Sequence, residues 1–103
     1  MAQKEVVWTE TAAIQRRRIL KYWLQRNQSN AYPLKLLRLS NKKVNQIAVN
    51  PYLYKEADFP GTRVATMGHY SIFYKSSDTH IYITAFWDNR QDPKELMHLL
   101  MKS

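Results

Sequence analysis

The apolar pattern of this chain changes period at Pro60-Gly61, and that break limits the folds open to it. Before it, apolar residues recur at helical spacing: Ala12, Ile19, Leu20, Trp23 and Leu24, then Leu36, Leu37, Val44, Ile47 and Ala48. After it, residues 62–67, 70–75 and 80–87 carry the β-branched and aromatic composition of strands, separated by Gly68-His69 and by Ser76-Ser77-Asp78-Thr79. Helical spacing followed by hairpin-linked strands predicts an α+β fold. With 103 residues there is room for one domain, residues 1–103, with a thin core.

The local signals give an order of elements. Residues 5–8 read as a short opening strand, and Thr9 as the N-cap of a helix with Glu10 in its first turn. Arg16 falls inside the apolar stripe of that helix, so it snorkels or finds a carboxylate elsewhere, Asp88 being the candidate. A polar link over residues 27–30 is short enough to make the next helix antiparallel to the first. Pro33 fits the first turn of this second helix, whose stripe includes Ser40, and Asn50-Pro51 ends it. Residues 52–61 read as loop. A tight Gly68 turn joins two strands, residues 80–87 form the best-buried strand, and Pro93 opens a closing helix bearing Leu96, Met97, Leu99, Leu100 and Met101. The expected architecture is an N-terminal strand, an antiparallel two-helix hairpin on one face of an antiparallel sheet, and a short C-terminal helix.

Charge is concentrated in the helical part. Between Thr11 and Lys55 there is no acidic residue, while ten of the sixteen Lys and Arg lie there, nine of them in the predicted hairpin. A one-signed region of this kind attracts polyanions or an acidic protein. The sequence has no cysteine, which removes disulfides, thiolate zinc sites and thiol nucleophiles. His69, His80 and His98 lack ligand spacing, no serine sits in a nucleophile elbow, and Gly61 and Gly68 form no phosphate loop. No cofactor is expected. Neither a signal-peptide pattern nor a membrane span is legible, so a soluble cytoplasmic protein without membrane contact is expected.

If Val64 packs under the hairpin, alternation turns Arg63, Ala65 and Met67 to an open sheet face. Arg63 and Arg90 are then the leading functional cations, with His69, Tyr74 and Trp87 as further members of one surface. Metal-free RNA cleavage is chemically open to such a set, since it requires cations at the phosphate and proton-transfer groups. Plain phosphate-backbone binding by a basic module fits equally well.

Several segments taken together resemble the RelE/ParE family of toxins from bacterial type II toxin–antitoxin pairs, also known as plasmid-stabilisation proteins. They are Trp8-Thr9, the basic hairpin stopped at Asn50-Pro51, Arg63-Val64, Tyr70-Ser71-Ile72-Phe73-Tyr74 and Phe86-Trp87-Asp88-Asn89-Arg90. The resemblance implies growth inhibition and a cognate antitoxin whose flexible segment wraps the toxin. Operator DNA would be met only through that antitoxin, in a dimer or larger assembly. It also implies one of two targets, DNA gyrase for ParE-like members or ribosome-bound mRNA for RelE-like ones. RelE-like members carry two alternating lysines and a following arginine where this chain has Arg63, Ala65 and Ser71, and residues 99–103 hold no tyrosine. The Tyr-x-Ile-Phe-Tyr segment is closer to the ParE pattern. Gyrase inhibition is therefore favoured. If the chain is a nuclease instead, Arg63, Arg90 and His69 are its catalytic candidates. If it is not, Arg63, Tyr74, Trp87 and Arg90 are its binding surface. The closing helix is expected to be a mobile element shielded by the antitoxin.

Overall fold

The computed structural model describes residues 3–27 and 29–102. Strand β1 (Glu5–Trp8) leads into helix α1 (Glu10–Asn27) and helix α2 (Ala31–Val49), followed by β2 (Arg63–Met67), β3 (Tyr70–Ser76), β4 (His80–Asp88) and α3 (Pro93–Lys102). The four strands form one sheet in the order β1-β4-β3-β2. β3 is antiparallel to both its neighbours, whereas β1 enters parallel to β4, so the sheet is mixed.

Side-chain chemistry at the element ends explains where they start and stop. The Thr9 hydroxyl accepts the Ala12 amide at 3.3 Å and donates to the Ile83 carbonyl at 2.8 Å, capping α1 and tying it to β4 in one residue. β1 ends at Trp8, leaving the next free amide of β4 without a strand partner. Gln15 on α1 supplies it, its Oε1 accepting the Phe86 amide at 2.8 Å. Gly68 holds φ at +61°, the left-handed geometry required at the first position of the two-residue turn between β2 and β3.

Both faces of the sheet are covered. The larger cluster lies under the hairpin: Ala12, Leu36, Val44 and Ile47 meet Ala65, Tyr70, Ile72, Tyr74, Ile81, Ile83 and Phe86. On the opposite face Val64, Phe73, Ala85 and Trp87 pack with Leu100, flanked by Leu96, Leu99, Ala57 and Phe59. Strand alternation alone cannot place both Ile83 and Phe86 under the hairpin. The irregularity in β4 does so: Tyr74 pairs with Ile83 and Phe73 with Ala85, leaving Thr84 as an extra residue that reverses the alternation.

Three expectations are corrected here. Val64 does pack inward, but toward α3, so Ala65 is fully buried under the hairpin and Arg63 shares that side at the sheet edge. The second face has an apolar cover of its own, and no open sheet face is left around Arg63. Leu24 stays exposed, because Trp23 fills that end of the α1 stripe and donates its indole N–H to Tyr70 Oη at 2.8 Å. The remaining stripe residues of α2, including Ser40, are buried as expected except Leu37, which is half-buried.

Candidate functional site

The candidate residues fall into separate places. Arg63 stands where β2 begins, opposite Tyr74 in register. Its guanidinium donates to the Tyr54 carbonyl at 2.7 Å, lies 5.2 Å from the Tyr52 ring centre and 3.6 Å from Glu56. Only 26% of its side chain is exposed, so Arg63 braces the 52–56 loop against the sheet edge. Beside it Tyr74 is buried, its hydroxyl donating to the Pro51 carbonyl at 2.6 Å. Burial pushes that hydroxyl up to about 12, with Arg63 pulling weakly the other way.

Arg90 lies at the far end of the sheet. Tyr70, which pairs with Asp88, also pairs with Met67, four residues along β2 from Arg63, or about 13 Å of strand. Asp88 grips Arg90 with both oxygens, accepting from Nε at 2.9 Å and from Nη2 at 2.8 Å, and also accepts the Arg90 amide at 2.9 Å. The Arg90 bonds hold the Asp88 carboxyl below the usual carboxylate range, partly offset by burial, and raise the guanidinium in turn. This pairing corrects the expectation that Asp88 holds Arg16. Among the described residues Arg16 has no carboxylate partner: it stacks 3.9 Å over the Trp8 ring and donates to Asn41 Oδ1 at 2.8 Å and Ser40 Oγ at 3.2 Å. Partial burial lowers its pKa, as desolvation must for a cation.

His69 is exposed in the Gly68 turn and adds a Coulombic pull on Asp88. Its carbonyl accepts the Asn89 amide at 2.8 Å, linking the turn to the end of β4. Trp87 is buried on the α3 side, away from both arginines. Ser71 is buried on the same side and donates to Asn89 Oδ1 at 2.8 Å. Arg63, Arg90 and His69 are thus not brought together around one point. Among the described residues no group of three His, Cys, Asp or Glu is placed to hold a metal.

Two concave regions lie on opposite sides of the sheet, the second of them at the Arg90 end. On the α3 side, a groove of about 340 Å³ is walled by Phe59, Val64, Phe73, Leu96, Met97 and Leu100. On the hairpin side, a groove of about 480 Å³ is lined by Arg18, Tyr22, Trp23, Arg26, Tyr70, Asp88 and Arg90. Arg18, Tyr22 and Arg26 were not among the sequence candidates. Their spacing of four residues along α1 was the available signal, since i, i+4 and i+8 share a helix face.

A helical hairpin on one side of a four-stranded mixed sheet, with a short C-terminal helix on the other, is a fold this chain shares with a chain of a solved toxin–antitoxin system. Residues 6–93 match the family model described as the ParE toxin of the type II toxin-antitoxin system parDE, and the chain belongs to that family. Among solved structures it is similar to a chain of the chromosomal ParDE TA system from P. aeruginosa, with 18% identity and a TM-score of 0.70. That match covers 82% of this chain and 94% of the other. No curated protein sequence matches. No helix among the described residues is long and apolar enough to cross a membrane.

Proposed function

We propose that this ParE-family toxin acts by inhibiting DNA gyrase and is neutralised by a cognate antitoxin. The reading rests on the match to the ParE model across residues 6–93. Two features of the chain support gyrase over ribosome-dependent cleavage. Position 65, where a second strand cation would help hold a scissile phosphate, is a fully buried alanine. Position 71, where RelE-like members place an arginine, is a buried serine committed to Asn89. The antitoxin follows from the similarity to a chain of a ParDE system, and a hairpin without an acidic residue beyond Glu10 suits an acidic partner segment.

Arg63 and Arg90 are the residues we assign to target contact, at opposite ends of the sheet. Tyr74 supports Arg63 from within, Trp87 belongs to the core on the α3 side, and His69 shapes the turn beside Arg90. The test is a supercoiling assay with purified gyrase, ATP and relaxed plasmid. Added toxin is expected to stop supercoiling, and Arg90→Ala to weaken the effect without lowering the melting temperature. Unimpaired gyrase together with A-site cleavage of mRNA on programmed ribosomes would overturn the reading.

A further inference from the structure

The groove between α1 and the end of the sheet holds more than the proposed gyrase contact, which takes only Arg90 from it. Arg18, Tyr22 and Arg26 follow one another at one-turn spacing along α1, all three exposed, so one phenol ring stands between two guanidiniums. Tyr22 is 52% exposed, and Arg26 donates to its hydroxyl at 3.2 Å. Trp23 meets Tyr22 and Tyr32 edge-on, each with ring centres 5.1 Å apart, and its indole N–H is fixed on Tyr70. Arg90 closes the far wall, oriented by Asp88 and half exposed. The groove therefore presents three guanidiniums against one carboxylate, around a floor of linked aromatic rings.

We propose that this groove binds single-stranded nucleic acid, with Tyr22 as a stacking platform for a base and Arg18, Arg26 and Arg90 on the flanking phosphates. Alternating aromatic and cationic side chains are what single strands require, because every base offers a π-face and every linkage a charge. A duplex needs only the charges. An extended acidic peptide needs an unpaired strand edge or an apolar trough, and this end of the sheet offers neither: β3 and β4 pair through Tyr70 and Asp88. At about 480 Å³ the groove admits one or two nucleotides, so a longer strand would continue over the neighbouring exposed cations of α1, Arg17 and Lys21. The site shares Arg90 with the gyrase reading, but Arg18, Tyr22 and Arg26 belong to it alone, so variants at those three can fail here while gyrase inhibition stands.

Fluorescence anisotropy with the full chain and labelled single-stranded oligothymidylate and oligouridylate of about ten nucleotides tests it. With three phosphate contacts, affinity is expected to fall about 20-fold as salt rises from about 50 to about 200 mM. Arg18→Gln with Arg26→Gln should flatten that dependence, and Tyr22→Ala should weaken binding at least about fivefold at constant salt slope. Arg38→Gln with Lys42→Gln, on the exposed face of α2, should leave affinity within about twofold. All these positions are exposed, and unchanged melting temperatures would show that the variants fold. No binding at low salt overturns the proposal. So does Tyr22→Ala without effect, equal weakening by the α2 pair, or a duplex or polyglutamate competing as well as the unlabelled single strand.

Discussion

The two faces of the sheet are built differently, and the contrast separates what holds the toxin together from what it can release. Under the hairpin, two long helices seal an aromatic and aliphatic cluster in which Ala65, Ile72, Tyr74, Ile81 and Ile83 have no exposure. On the other face a single ten-residue helix covers the sheet, and of its apolar residues only Leu100 is fully buried. Leu96 and Leu99 are half-buried, and Met97 and Met101 are exposed. One face carries the stability of the fold. The other is covered by an element with few anchors.

The sharpest way to break that comparison is to empty each core in turn. Phe86→Ala, under the hairpin, is expected to cost about 3–5 kcal/mol, and Leu100→Ala nearer 2 kcal/mol, by urea unfolding. Equal losses would mean that α3 is as integral as the hairpin. The same contrast should appear in hydrogen exchange, with amides of residues 96–101 exchanging well before those of β4 in the free protein.

A smaller effect is expected at Tyr74. Tyr74→Phe keeps the ring but leaves the Pro51 carbonyl without its donor, at a cost of about 1–2 kcal/mol. Its folded pKa is raised, to about 12 against an ordinary 10.0, so the folded state holds the proton more tightly. Its contribution is therefore fully present below about pH 10 and is lost as pH rises toward 12. Melting temperatures across that range should fall less steeply in Tyr74→Phe than in the wild type.

Arg16→Met comes next, at about 1 kcal/mol. The methionine keeps packing against Trp8 and gives up only the hydrogen bonds to Ser40 and Asn41, with no carboxylate left buried and unpaired. A loss of several kcal/mol would reveal an ionic role. The least effect is expected from Asp88→Asn, below about 1 kcal/mol at neutral pH, since Arg90 is half exposed. The Asp88 pKa is lowered on folding, so its contribution is present above the unfolded carboxylate pKa and lost as pH falls through the folded one. Chemical denaturation at neutral and acid pH checks both signs.

Much of this frame was readable in the sequence, because local chemistry dictated it. Thr9 caps α1, Asn50-Pro51 ends α2, Gly68 makes the hairpin turn and Pro93 opens α3, each for a reason contained within a few residues. The side of the sheet on which Arg63 lies was not readable. Val64 and Ala65 are both apolar, and only the tertiary seat of α3 decides which faces the hairpin. The extra residue Thr84 leaves no mark in a strand of uniform β composition, yet it reverses every side chain after it. The same limit hid the partners of Arg16 and Asp88. Arg90 is two residues from Asp88 and takes it locally, leaving Arg16 to an aromatic face and two neutral side chains. The groove beside α1 was half legible, in the Arg18-Tyr22-Arg26 spacing, while Tyr70 and Arg90 joined it only through the fold.

The most direct test of the central claim is inducible expression in bacteria, with pulse-labelled DNA and protein synthesis followed in the same culture. Wild-type toxin acting on gyrase is expected to stop DNA synthesis first and produce filaments, while translation continues and messages stay intact. An immediate stop in protein synthesis with cut messages would contradict it.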